Sequence, residues 1–182
     1  DLPTEFQTTC NAYGKALAGY NQKDCYMPDN YDGKYRGPIK LRDALAQSIN
    51  IPAVKLFYLA GLKDSLKTAE DMGISTLTDV SRYGLTLVIG GGEVSLLDMT
   101  SAYGVFANDG VKNQYTGVLK VEDANGNILE EYTPNPQEVL PKNIALTISN
   151  ILSDNIARIP TFGSSSPLVV PGREVAAKTG TT

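Results

Sequence analysis

The sequence predicts an α+β protein built as a single domain over residues 1–182. Several segments repeat apolar residues at helical spacing, a strong β-hairpin signal lies near residue 125, and residues 174–182 form a strand candidate. A chain of 182 residues is long enough to bury a substantial core, roughly 68–70% of the surface exposed in the unfolded state.

The first third of the chain is predicted to change from an irregular segment to helices at Leu41. Residues 1–40 carry prolines and a turn signal at residues 30–33, which indicates an extended leader. Pro52 fits the first turn of a second helix, so residues 47–51 should form a helix end and a short loop. A third helix is predicted over Leu62–Met72, ended by Gly73.

The middle of the chain contains a glycine run and a helix start signal. Gly90, Gly91 and Gly92 follow an apolar run without a phosphate-binding signature, which favours a tight loop. Ser95 with Asp98 resembles a capping box and predicts a helix through Asn108.

The last third is predicted to contain a hairpin, a long helix and a strand. Two β-prone runs, residues 118–121 and 128–132, flank the turn pair Asn125-Gly126. Pro141 should begin one amphipathic helix that continues to about Arg158, with residues 153–155 on its polar face. Residues 174–182 are the strand candidate.

Composition excludes several function classes. The chain has no histidine, which removes histidine-activated nucleophiles and imidazole proton shuttles. Sixteen basic and twenty acidic residues give a net charge of −4 without a basic stripe, which argues against nucleic-acid binding. No segment is long and apolar enough for a membrane span. Cys10 and Cys25 are compatible with a disulfide or with two thiols.

Two short motifs could carry chemistry. Ser48-Ile49-Asn50 lies in the predicted break between two helices, and Lys178-Thr179-Gly180-Thr181 lies on the strand candidate. Strand alternation places Lys178 and Gly180 on one face and the threonines on the other. Taken alone, Ser48-Ile49-Asn50 is more typical of a polar helix end and Lys178-Thr179-Gly180 of a surface turn, and residues 153–155 are a second Ser-x-Asn.

The two motifs together, in this order and context, resemble the penicillin-recognising serine acyltransferases. Residues 30–38 leading into 41–54, residues 91–110, and residues 178–182 are similar to the corresponding regions of the bifunctional, class A penicillin-binding proteins. The resemblance extends over about residues 1–182. It implies a penicillin-binding-protein or serine β-lactamase-like transpeptidase fold, in which a helical lobe packs on a partial antiparallel sheet.

The family's activity, as the resemblance implies it, is a D,D-transpeptidase reaction that cross-links peptidoglycan stem peptides through a serine acyl-enzyme and is inhibited by β-lactams. Ser48 would relay a proton to the leaving group, Asn50 would bind the substrate amide, and Lys178 would supply positive potential. The substrate carboxylate would bind Thr179 and Thr181, with Gly180 leaving room beside the backbone and the Thr181 N–H completing half of an oxyanion hole. No metal or organic cofactor is implied.

The family's first motif, Ser-x-x-Lys, is missing, because no serine of this chain has a lysine three residues later. We expect that motif to precede Asp1, the chain to be an internal part of a transpeptidase domain, and these residues alone to be inactive. The resemblance further implies three partners: stem peptides, β-lactams and the rest of the transpeptidase domain. It also implies a location outside the cytoplasmic membrane, where a membrane anchor would belong to the full-length protein and not to these residues. The alternatives are a non-catalytic peptidoglycan- or β-lactam-binding sensor domain and a serine β-lactamase-like protein.

Overall fold

The computed structural model describes residues 1–2, 15–21 and 25–180, and its chain falls into two compact units. The first unit comprises Asp1–Leu62, Ser81–Gly91 and Ile151–Thr182, and the second comprises Lys63–Val80 and Gly92–Asn150. Whether they act as the single domain expected from the sequence stays a prediction.

Short helices and very short strands make up the regular structure. The helices are α1 (Leu41–Ala46), α2 (Asn50–Ala60), α3 (Leu62–Asp71), α4 (Leu96–Ala107), α5 (Lys142–Leu152) and α6 (Asn155–Phe162), with 3₁₀ helices at Val80–Arg82 and Leu85–Ile89. The strands are β1 (Val111–Lys112), β2 (Lys120–Glu122), β3 (Ile128–Glu131) and β4 (Gln137–Glu138). The mixed α and β content agrees with the predicted class.

The first unit is organised around α1 and α2. The predicted break between them is confirmed but covers only residues 47–49, because α2 already begins at Asn50, and Pro52 lies in its first turn. Helix α6 packs against α1, and the 3₁₀ helix Leu85–Ile89 packs against α2. The core consists of buried apolar side chains from α1, from α2 and its N-cap, and from the end of α5: Ala44, Ala46, Ile49, Ile51, Val54, Phe57 and Leu152.

The second unit has its own core between α3 and α4. Met72, Ala102 and Val105 form a buried cluster, against which Val139 and Leu140 pack. Helix α3 ends as predicted at Gly73, whose φ of +107° accompanies the hydrogen bonds of a Schellman motif. Ser95 caps α4 as predicted, since its hydroxyl accepts the N–H of Asp98 over 3.0 Å.

The second unit also contains two antiparallel strand pairs. Strands β2 and β3 form the predicted hairpin, with an irregular register between Val121 and Glu122. Strands β1 and β4 form a second pair that the sequence did not predict, in which Val111 faces Glu138. The sheet part of the fold is therefore small in the described residues.

One predicted helix is wrong, because residues 142–158 form two helices. Helix α5 ends at Leu152, and Asp154 caps α6 by accepting the N–H of Ala157 over 2.9 Å. An aspartate at a helix N-terminus competes with helix continuation, and here a 3.1 Å ion pair with Arg42 also holds its carboxylate. Residues 153–155 therefore form a helix junction rather than a polar helix face.

The predicted terminal strand is also wrong for residues 174–180, which form no ladder with any strand in the described part of the chain. The N–H of Ala177 donates instead to the carbonyl of Leu152 at the end of α5, over 2.9 Å. The carbonyl at the end of a helix therefore accepts the hydrogen bond that, in a sheet, the carbonyl of a neighbouring strand would accept.

The remaining predictions concern local features. The leader residues that the structure describes contain no helix, and Gly33 closes the predicted turn on Asn30 over 2.9 Å. Gly91 folds back on Thr86 in a tight loop, where a Cβ would lie 2.8 Å from the Thr86 hydroxyl. Cys25 is disulfide-bonded, whereas Cys10 lies outside the described residues. Among the helices described, none is long and apolar enough to cross a membrane.

Candidate active site

Ser48 lies directly after α1, where the helix closes with a Schellman motif. The N–H of Ser48 donates to Leu45 over 3.2 Å, and the N–H of Ile49 donates to Ala44 over 3.0 Å. These bonds require a left-handed backbone at Ser48, a place usually taken by glycine. Ser48 has a φ of +59° and is one of two non-glycine residues with positive φ in the described ranges. Such backbone strain is frequent at functional sites and supports Ser48 as a candidate residue.

Lys178 reaches Ser48 from 130 residues further along the chain. Its Nζ donates to Ser48 Oγ over 2.6 Å and to the carbonyl of Thr179 over 2.9 Å. The side chain is half-buried, and this burial lowers the pKa of Lys178 below the ordinary value of lysine. No ion pair to Lys178 occurs within the described residues. The ammonium is therefore a positive charge beside the Ser48 hydroxyl without a carboxylate to offset it.

The backbone before Lys178 is held by a buried arginine. Arg158 is 1% exposed, and its guanidinium donates to the carbonyls of Leu152, Leu168 and Ala177. The bond to Ala177 measures 3.3 Å, one residue before Lys178. A planar guanidinium suits this role, because it donates several hydrogen bonds in a fixed arrangement. Arg158 therefore ties the segment that carries Lys178 to the end of α5.

Asn50 is the first residue of α2, and its side chain is already oriented. Asn50 Nδ2 donates to the carbonyl of Asp29 over 3.0 Å. The next N–H of the helix, from Ile51, donates to Asn30 Oδ1 over 3.1 Å. The segment before the Asn30 turn therefore contacts both the side chain of Asn50 and the backbone that follows it.

The other predicted residues follow Lys178 directly. Thr179 contributes its carbonyl oxygen to the Lys178 ammonium. Gly180 is exposed, and a Cβ there would meet no atom within 4 Å, so there is open space beside its backbone. Thr181 lies outside the described residues. The structure thus joins Ser48, Lys178 and Thr179 through hydrogen bonds, while Asn50 is held separately by Asp29.

Sequence reasoning missed the two residues that hold the motifs in place, Asn30 and Arg158. Asn30 was recognised only as part of a turn signal and of a region similar to the family, and Arg158 only as the end of a helix pattern. Both act on backbone groups far away in the sequence, for which no local pattern exists. As for metals, the described residues contain no group of three or more candidate ligand side chains.

Comparison with protein families identifies the fold to which this site belongs. The family model for the penicillin-binding protein transpeptidase domain matches residues 9–182. The chain belongs to this family. Penicillin-binding protein 1A of Aquifex aeolicus is 35% identical over 175 residues, which are 96% of this chain and 23% of that protein. Penicillin-binding protein 1A/1B of Bacillus subtilis is 36% identical over 84% of this chain and 16% of its own length.

Solved penicillin-binding proteins have the same fold. PonA1 of Mycobacterium tuberculosis matches 87% of this chain and 44% of its own, with a TM-score of 0.72 and 26% identity. Penicillin-binding protein A of the same organism, solved as an imipenem acyl-enzyme complex, matches 92% of this chain and 41% of its own, with a TM-score of 0.66 and 18% identity. The predicted transpeptidase fold is confirmed. The chain spans less than a quarter of the two curated relatives, so it corresponds to part of a penicillin-binding protein.

Proposed function

We propose that this chain supplies the second and third motifs of a D,D-transpeptidase, which cross-links peptidoglycan stem peptides and is acylated by β-lactams. The observation that carries the proposal is the 2.6 Å hydrogen bond from Lys178 Nζ to Ser48 Oγ. It joins the Ser-x-Asn and Lys-Thr-Gly motifs across 130 residues of sequence. The membership of the chain in the penicillin-binding family supports the same function.

The reaction is acyl transfer through a serine ester. A serine oxygen attacks the carbonyl carbon of the penultimate D-alanine, and the C–N bond to the terminal D-alanine breaks. An amine of a neighbouring stem peptide then attacks the ester, forms the new amide and releases the serine. None of the 182 residues supplies a Ser-x-x-Lys motif, so the nucleophile and its lysine must come from elsewhere in the protein. We therefore expect the 182-residue chain alone to be inactive.

Ser48 and Lys178 are assigned to proton transfer at the leaving group. The departing D-alanine nitrogen needs a proton, which the Ser48 hydroxyl can give while it receives another from the base that activated the nucleophile. The Lys178 ammonium donates to the same oxygen and keeps it correctly oriented. Because Lys178 is half-buried, its charge acts on Ser48 with little screening by water.

Substrate recognition is assigned to Asn50, Thr179, Gly180 and Thr181. The Asn50 carboxamide would bind the amide of the donor peptide or of a penicillin side chain. The threonines would bind the terminal carboxylate, whose charge the Lys178 ammonium attracts. The open space beside Gly180 allows the substrate backbone to approach closely. The Thr181 N–H would supply half of the oxyanion hole.

The substrate also determines the remaining assignments. Peptidoglycan cross-linking takes place outside the cytoplasmic membrane, so we place the chain on the extracytoplasmic side as part of a membrane-anchored protein. Its partners are stem peptides, β-lactams and the rest of the transpeptidase domain. No cofactor takes part in this chemistry.

Labelling with a fluorescent penicillin tests the proposal. The full-length protein should give a labelled band on a denaturing gel, and Lys178→Ala and Ser48→Ala should each slow labelling by at least about 100-fold. Lys40→Ala, a substitution of an exposed lysine in the same unit, and Ser153→Ala, in the second Ser-x-Asn, are the controls and should label normally.

Three results would contradict the proposal. A full-length protein that binds penicillin without a covalent band would be a binding or sensor domain. Rapid loss of label by hydrolysis would indicate a serine β-lactamase-like enzyme. A labelled band from the 182-residue chain alone would show that its nucleophile lies within these residues.

A further inference from the structure

Asn30 is a buried side chain that the transpeptidase chemistry does not use directly. It is 5% exposed, and its carboxamide makes hydrogen bonds in two directions. Oδ1 accepts the N–H of Ile51 over 3.1 Å. Nδ2 donates to both carboxylate oxygens of Asp1, over 2.8 and 3.0 Å, and to the carbonyl of Lys34 over 2.7 Å. Such a fully bonded buried amide has one defined orientation.

The bond to Ile51 replaces a helix cap. Ile49, the residue at the N-cap of α2, has no side chain that can accept a hydrogen bond. The N–H of the second helical residue would therefore lack the acceptor that a local serine or aspartate usually supplies. Asn30 supplies that acceptor from 21 residues earlier in the chain. The start of α2, which is Asn50 itself, is thus fixed to Asn30.

The residue before Asn30 holds the side chain of Asn50. The Asp29 carbonyl accepts one hydrogen of Asn50 Nδ2 over 3.0 Å. In the described residues no other hydrogen bond uses the Asn50 carboxamide, so its second N–H and its Oδ1 remain for a ligand. Two adjacent residues, Asp29 and Asn30, therefore set the direction in which Asn50 presents these groups.

We propose that Asn30 is a positioning residue for amide recognition by Asn50: it aligns the Asn50 carboxamide with the acyl-amide group of the donor peptide or penicillin. This role rests on the transpeptidase function proposed for the chain. A carboxamide suits this position, because its oxygen accepts from Ile51 while its separate NH₂ group donates to Asp1 and to the Lys34 carbonyl. The Asp1 side chain is fully buried and is held in turn by the N–H of Arg36 over 3.0 Å.

A charge swap in the full-length protein separates positioning from stability. Asn30→Asp keeps an acceptor for Ile51 but sets a second carboxylate against Asp1, where like charges repel in a buried site. The double variant Asn30→Asp with Asp1→Asn restores one donor between the two positions. Tyr31→Ala is the matched control, because Tyr31 directly follows Asn30 in the chain and its side chain is 93% exposed.

The readout is the ratio of two acylation rate constants, measured well below the melting temperature. Benzylpenicillin has a side-chain amide for Asn50 to bind, and 6-aminopenicillanic acid has none. Asn30→Asp should lower the ratio of the two rate constants about tenfold, which is the effect of one well-placed hydrogen bond, and Asn50→Ala should lower it equally. The double variant should recover most of the ratio, and Tyr31→Ala should leave it unchanged.

An unchanged ratio in Asn30→Asp would overturn the positioning role, even if the melting temperature falls, because a purely structural residue affects both substrates alike. If Asn30→Asp does not fold, Asn30→Ser gives the same test, since a shorter side chain loses the cap without adding charge. A wild-type protein that neither β-lactam acylates would instead refute the transpeptidase function itself.

Discussion

Replacing Ser48 by glycine should make the protein more stable than replacing it by alanine, although both changes abolish the same hydroxyl. Ser48 has a φ of +59° at the end of α1, in the backbone conformation that a Schellman motif requires. Both variants lose the hydrogen bond from Lys178, so this loss cancels in the comparison. The difference between them reports only the effect of a Cβ atom in a left-handed conformation.

The size of the difference follows from two opposing terms. A left-handed backbone costs a residue with a Cβ about 1–2 kcal/mol. Glycine avoids this cost, but it loses more conformational entropy on folding than alanine does, which offsets about 0.5–1 kcal/mol of the gain. Ser48→Gly should therefore be more stable than Ser48→Ala by about 0.5–1 kcal/mol. At about 2–4 °C per kcal/mol, the value for domains of 150–250 residues, the melting temperatures should differ by about 1–4 °C.

Thermal and urea unfolding of the full-length variants measure this difference, and a penicillin-labelling assay confirms that both are equally impaired. Ser153 provides the control, because it is not among the described residues that have a positive φ. There the order should reverse, with Ser153→Ala more stable than Ser153→Gly. If alanine is the more stable substitution at both serines, the backbone at position 48 carries no strain and the reasoning is refuted.

Two further predictions concern the segment around Lys178. Burial lowers the pKa of Lys178, so acylation that needs its charge should fall as the pH rises through that lowered pKa. Lys178→Arg, which stays charged, should shift this decline to higher pH in the rate profile, and an unmoved decline would assign it to another group. Arg158→Met should destabilise the protein by about 3 kcal/mol in urea unfolding, because buried carbonyls lose their donor. Lys142→Met, which breaks an exposed ion pair with Asp109, should cost less than about 1 kcal/mol, and equal losses would contradict this role of Arg158.

Local signals were sufficient to predict most of the helices. Helix α4 begins at Ser95, and α3 ends before Gly73, because caps and glycines act within one turn of the chain. The junction at Asp154 was missed because the aspartate was assigned to the polar face of one long helix, whereas its side chain is the N-cap of α6. The β1–β4 pair was missed because two-residue strands have no periodicity that a sequence pattern can reveal.

The candidate site was predicted through family resemblance rather than through local structure. The motifs that contain Ser48 and Lys178 did not indicate a site when taken alone. Only the order of the two motifs along the chain, together with their flanking residues, indicated that they belong to one site. The structure adds the hydrogen bond between them and the strained backbone of Ser48. It also adds Asn30 and Arg158, whose functions consist of hydrogen bonds to distant backbone atoms. Residue type alone does not indicate such bonds, since the same side chains are common on surfaces.

The absence of histidine from the sequence has a chemical counterpart in this site. In the proposed reaction, the Ser48 hydroxyl gives one proton to the leaving nitrogen and receives another, so Ser48 keeps the same charge throughout. A group that only relays a proton does not need a pKa near neutrality, which is the property that imidazole supplies to other acyltransferases. What the relay needs is a fixed oxygen beside a positive charge. The left-handed backbone at the end of α1 holds that oxygen, and the Lys178 segment tied down by Arg158 holds that charge.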